Sequence, residues 1–167
     1  MPRLIVHATH ATSDDIRRIA ESEIGVVCCP RANATLGVGT PPINKLLQHG
    51  VKVALGTDNV MLNSPDMFRE MDYTTKMIKA TSLNPSAITS VEVLRMATVD
   101  AADVIGLGSK IGSIEVGKKA DIVLLDMTAP NLIHSQDFVS SVVHRARPDN
   151  IACVIVNGEI VHGSINS

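Results

Sequence analysis

Two residues of this 167-residue chain combine a reactive side chain with a telling position. Asp58 ends the stretch "VKVALGTD" (51–58), in which Val51, Val53 and Leu55 are residues of a buried strand, and His7 ends a second apolar run, "LIVH" (4–7). In α/β architectures the carboxyl ends of the strands are where ligands and metals gather. A carboxylate there can take a proton from a water and return it to a leaving group, and an imidazole at a neighbouring strand end can donate a hydrogen bond to a tetrahedral intermediate. Residue type alone leaves plainer roles open, an Asx turn for Asp58 and a satisfied strand-end histidine for His7.

The elements that would hold these residues alternate. "LIVHA" (4–8) leads into "TSDDIRRIAESE", where Thr12 or Ser13 can cap a helix and Asp14 and Asp15 suit its positive first turn. "IGVVCCP" (24–30) is a second strand closed by Pro30. The loop "RANATLGVGTPP" follows, and then a short helix "INKLLQHG" with Ile43, Leu46 and Leu47 on one face and Gly50 at its end. After the third strand, Ser64-Pro65 reads as an N-cap and N1 proline opening "DMFREMDYTTKMIKA", and a further helix spans about 89–105, with Thr89 and Glu92 fitting a capping box. Strands separated by helices are βα units, and they imply parallel strands buried on both faces.

The pattern changes near Gly106. Glycine-bounded β runs follow, and "CVIVNGEIVHG" places Asn157-Gly158 between two β-rich runs, a strong hairpin signal. The expectation is an antiparallel β unit from about Gly112 to Val161 beside the parallel one, with 127–150 as loop containing one or two helical turns.

Composition removes several function classes. Hydrophobic residues make up 45% of the chain, ample for a core, while 15 basic against 17 acidic residues and 2% aromatics provide neither the charge nor the stacking surface that nucleic acid requires. No apolar run approaches the roughly 20 residues that cross a bilayer, and the N-terminus lacks a signal-peptide pattern. Three cysteines make neither a disulfide framework nor a C-x-x-C zinc spacing, so the expected location is cytoplasmic. The remaining candidates have bland readings. His10 is a loop residue, and His49, His134, His144 and His162 are scattered surface or packing residues. Adjacent Cys28 and Cys29 point to opposite strand faces and suit the core. Met67, Met71 and Met77 pack a helix, Met61 can line a pocket, and Glu70 could reach the mouth formed by the strand ends but reads first as an exposed helix carboxylate.

The strand-end motifs "VHATH", "CCPRAN" and "LGTDN", with "LGVGTPPINKLLQHGVKVALGTDN" and the tail "GSIEVGKKADIVLLD", resemble the metal-dependent amidohydrolase superfamily. The similar branch contains nucleoside and guanine deaminases and triazine chlorohydrolases. The resemblance implies an α/β chain, the C-terminal part of a TIM (β/α)8 barrel. About three βα units would occupy residues 1–107 and a small antiparallel β-sandwich segment 108–167. It implies that Asp58 binds a divalent metal, zinc or iron, and shuttles a proton from the attacking water, and that His7 helps hold the substrate and that water. The family more often has serine where Ala32 stands, and the "CPRAN" loop is assigned no chemistry.

Neither the H-x-H pair nor the H-x-x-E motif of the family occurs, and a TIM barrel takes about 250 residues. The implied function is therefore the C-terminal portion of an amidohydrolase acting on non-peptide C–N bonds, a deaminase of an aminopurine nucleoside or related heterocycle. Its missing N-terminal half would come from elsewhere, or the chain would self-associate. The alternative is a non-catalytic remnant or assembly module. The expected partner is a small heterocyclic substrate, with no nucleic acid and no membrane.

Overall fold

A computed structural model describes residues 4–164, so the outermost ends of the two expected regions, 1–3 and 165–167, lie outside the described residues. Three parallel strands, β1 (Leu4–Val6), β2 (Gly25–Cys28) and β3 (Val53–Leu55), pair in the order β1-β2-β3, with Leu4 opposite Gly25 and Val26 opposite Val53. Between them run α1 (Ser13–Glu21), α2 (Pro30–Leu36) and α3 (Ile43–Gln48), and β3 leads to α4 (Met67–Ser82), α5 (Ser90–Ala97) and α6 (Val99–Val104).

Local chemistry accounts for most of the helix starts. Thr12 caps α1, its hydroxyl accepting from the Asp15 amide while the Asp15 carboxylate accepts from the Thr12 amide, and Thr89 and Glu92 do the same for α5. Three expectations need correction. The "RANATL" segment is helical: Pro30 occupies the first turn of α2 instead of merely closing β2, and Gly37 ends the helix at φ 66°. The cap of α4 is Asp66, accepting from the Arg69 amide, in place of Ser64. The helix expected over 89–105 breaks at Thr98, whose φ of −132° and ψ of −94° are not helical.

Burial follows the expected pattern for β2 and β3 but not for β1. Val26, Cys28, Val53, Ala54 and Leu55 are buried, whereas Leu4 and Val6 are 40% and 45% exposed. β1 is a sheet edge with an open face, beside which a 550 Å³ hollow is lined by Ile5, Ala8, Ile19 and neighbours. The core is one cluster in which Ile16 and Ile19 of α1, Val26 and Cys28 of β2 and Ile43 and Leu46 of α3 join Val53 and Leu55 of β3 with Met71, Met77, Ile78, Val93, Met96 and Val143. The helical reading of Met71 and Met77 holds, while Met61 is 85% exposed.

The tail forms a second sheet, β4 (Ile122–Leu125), β5 (Ile151–Val156) and β6 (Glu159–Gly163), antiparallel in the order β4-β5-β6. The β5–β6 turn is Asn157-Gly158 with φ 52° and 86°, the two positive values that a type I′ hairpin demands. Between β4 and β5, α7 (Phe138–Arg145), capped by Asp137, leaves the sheet and packs on α4 and α5. His144 ties the three helices: its Nδ1 lies 3.0 Å from Asp72 Oδ1 and its Nε2 3.5 Å from Ser90 Oγ.

Candidate active site

The carboxyl ends of β1 and β3 each finish in an unusual backbone turn. The His7 amide donates to Val27 O, extending the ladder by one bond, and His7 and Ala8 then take φ values of 70° and 50°, turning the chain off the sheet. At the end of β3 the Gly56 amide donates to Cys28 O, and Asp58 takes φ 59°. A Cβ at Gly56 would lie 3.1 Å from Val27 and 3.3 Å from Cys29 Sγ, so glycine lets β3 close against its neighbour there. Left-handed conformations at non-glycine residues cost roughly 1–3 kcal/mol each and cluster where side chains must be aimed.

These turns bring the two side chains together. His7 Nε2 lies 3.8 Å from Asp58 Oδ2, with the side chains 40% and 29% exposed. The gap is too long for a direct hydrogen bond, so both atoms face a shared, solvent-reached space. Another hollow, of about 570 Å³, opens elsewhere, at the amino ends of β2 and β3 among Gly25, Val51, Lys52 and Val104. On strand-end chemistry the His7–Asp58 pair is the candidate site.

A third residue, to which the sequence reading assigned no chemistry, completes the pair. Asn33 on α2 is only 1% exposed; its Oδ1 lies 3.0 Å from His7 Nδ1, and its Nδ2 donates to Thr9 Oγ1 at 2.6 Å. The signal was present in "CPRANATLG": a proline start, two alanines and a glycine end make a helix, which places the one amide-bearing residue in reach of the strand end.

Glu70 is the larger correction. It is fully buried, not exposed: Oε1 accepts from the Arg31 amide at 3.0 Å, Arg31 Nη1 lies 3.7 Å from Oε2, and Oε2 has no hydrogen-bond partner. Cys29 provides no side-chain cap for α2, so Glu70 caps that helix from α4. Burial pushes the Glu70 carboxyl above its ordinary range, offset in part by the Arg31 amide and guanidinium. Arg31 Nη1 also donates to Ser64 O and Asp66 O, both at 3.4 Å, clasping the loop that follows Asp58 to the helix that carries Asn33.

The cysteines are core residues, as expected, and Cys29 lies within the field of the site. Burial raises the Cys28 thiol to about 12, and burial with the charges of Asp58 and Glu70 raises Cys29 to about 11. Almost no thiolate exists at neutral pH. Alkylation of the folded chain by iodoacetamide at pH 7.5 is therefore expected to proceed only as fast as opening of the fold, and modification of Cys28 or Cys29 at the rate of a free thiol would contradict this burial.

As a metal centre the site is partial. Asp58 and His7 are donors of the right types, but among the described residues no group of three or more His, Cys, Asp and Glu is arranged to hold an ion. A catalytic zinc needs about three protein ligands and an open position.

The amidohydrolase family profile matches residues 3–161. A 5-methylthioadenosine/S-adenosylhomocysteine deaminase of Moorella thermoacetica is 37% identical over 162 residues, covering 96% of this chain and 38% of its own length. Among solved structures, an adenosine deaminase from Xanthomonas campestris with bound zinc superposes with TM-score 0.91 at 34% identity, over 94% of this chain and 36% of that one. Escherichia coli guanine deaminase superposes with TM-score 0.86 at 25% identity, over 96% and 39%. The chain thus spans about two fifths of the length of the proteins it matches.

Proposed function

Because the chain belongs to the amidohydrolase family, we propose that it is the C-terminal portion of a metal-dependent hydrolase of non-peptide C–N bonds. The reaction is deamination of an aminopurine nucleoside or a related heterocycle. The observation that carries the reading is the convergence of His7 and Asp58, 3.8 Å apart on left-handed strand ends. Residues 1–107 are read as about three βα units of a (β/α)8 barrel and 108–167 as part of a small β-sandwich, in the cytoplasm.

Asp58 is a ligand of a divalent cation, zinc or iron, since both accept carboxylate and imidazole donors. What such a cation supplies is a water whose pKa falls from 15.7 to about 7. With such a cation held, the Asp58 carboxylate would be placed to take a proton from the attacking water and return it to the departing amine, and His7 would help hold the substrate and the water from β1. The ligands that Asp58 lacks belong to the family's H-x-H and H-x-x-E motifs, carried on the other three fifths of the enzyme.

A second reading, an assembly module without catalysis, draws on the exposed face of β1 and on the shortage of metal donors. Co-expression with the N-terminal region of the Moorella thermoacetica relative distinguishes the two. Stoichiometric metal and ammonia release from 5-methylthioadenosine or adenosine are expected together in the complex, with neither in the chain alone. A tight complex that binds no metal and releases no ammonia would favour the module, and turnover by the chain alone would overturn the ligand count.

A further inference from the structure

We propose that Asn33 is a positioning residue for His7: it holds the ring proton on Nδ1 and so turns Nε2, as a lone pair, toward Asp58. The inference rests on the reading of His7 and Asp58 as the working pair. A carbonyl oxygen can only accept, so with Asn33 Oδ1 at 3.0 Å the donor must be Nδ1–H. A neutral imidazole has one such proton, which leaves Nε2 unprotonated on the side of Asp58 Oδ2. Nε2 is then a proton acceptor or a donor atom for a cation, and it gives a hydrogen bond to an oxyanion only after taking a second proton.

The arrangement is over-determined in a way that packing does not require. Asn33 is 1% exposed, an expensive place for an amide, and both halves of that amide are used on the β1 turn, Oδ1 on His7 and Nδ2 on Thr9. The turn itself is held in left-handed backbone at His7 and Ala8. Helix α2, which carries Asn33, is fixed in turn by the buried Glu70 carboxylate on the Arg31 amide. Partners beyond a histidine that set its tautomer are typically worth 10–100-fold in activity or affinity.

The direct test needs neither metal nor substrate. In the ¹⁵N-labelled chain, two-bond ¹H–¹⁵N histidine spectra at alkaline pH, with His7 assigned by its loss in His7→Gln, should show Nδ1 protonated and Nε2 bare. Asn33→Leu, nearly isosteric, removes the acceptor at Nδ1 and should move the proton to Nε2, the nitrogen that faces Asp58 and solvent. Asn33→Asp should keep it on Nδ1, because one carboxylate oxygen accepts from the ring and the other from the Thr9 hydroxyl. Thr9→Val, which removes the second anchor of Asn33 without emptying the core, should shift the tautomer part of the way and serves if Asn33→Leu fails to fold. A wild-type His7 protonated on Nε2, or Leu and Val variants that both retain the Nδ1 proton, would overturn the proposal whatever the enzyme does. In the metal-loaded complex, Asn33→Leu should lower kcat roughly 10–100-fold with KM little changed, and Asn33→Asp should restore most of it. Equal losses in the Leu and Asp variants would point to a structural role only.

Discussion

Replacing Asp58 by asparagine in the complemented enzyme is expected to abolish ammonia release, by about 10⁴-fold or more, as for other residues at the centre of a catalytic unit. Asparagine is the sharper variant because of the backbone. Asp58 sits at φ 59°, a conformation that asparagine adopts at lower cost than alanine, so Asp58→Asn should leave stability within about 0.5 kcal/mol. Asp58→Ala should lose the same activity and cost roughly 1–2 kcal/mol more in folding. Turnover and metal content measured together with urea unfolding separate these effects. An Asp58→Asn enzyme with normal turnover would remove Asp58 from the mechanism.

The other large effect falls on stability. Glu70→Leu strips the cap from the Arg31 amide and leaves the guanidinium, itself 14% exposed, without its carboxylate. Breaking a buried pair by deleting one partner typically costs about 3–5 kcal/mol, enough to unfold a marginal chain. Glu70→Gln keeps an oxygen for the Arg31 amide and should cost far less. The pH dependence has a definite sign. Burial raises the Glu70 pKa, so the folded state holds this proton more tightly than the unfolded one. Its contribution to stability is therefore full below the unfolded pKa and is lost as pH rises through the folded pKa. Asp15, Glu115 and Asp126, each held low by side-chain hydrogen bonds first of all, act in the opposite sense, losing stability as pH falls. The difference between wild type and Glu70→Gln in urea midpoints across pH cancels them and isolates Glu70. A difference that grows in favour of wild type toward alkaline pH would contradict the buried, raised carboxyl.

Glu70 also bears on the site. Through Arg31 it joins α2 to the loop behind Asp58, so its loss should loosen Asn33 and Asp58 together, although neither touches substrate through Glu70. A Glu70→Gln enzyme that folds normally but shows a partly shifted His7 tautomer would be the sign of that coupling.

What the sequence by itself determined are features written between residues a few positions apart. The Thr12–Asp15 and Thr89–Glu92 boxes, the Asn157-Gly158 turn, the alternation of strand and helix, and the placing of His7 and Asp58 at strand ends all depend on contacts within one turn or on periodicity along one element. Even the missed helix at Pro30–Leu36 carried its own start and stop. Only the tertiary structure decided which polar side chains are enclosed and what they face. Asn33 meets His7 across 26 positions and Glu70 meets Arg31 across 39, while the same Glu70 on an isolated α4 would be an ordinary solvated carboxylate. The open face of β1 is of the same kind, since an apolar strand reads alike whether or not something covers it. Burial is a property of what packs against a residue, and the chain encodes those neighbours far from the residue itself.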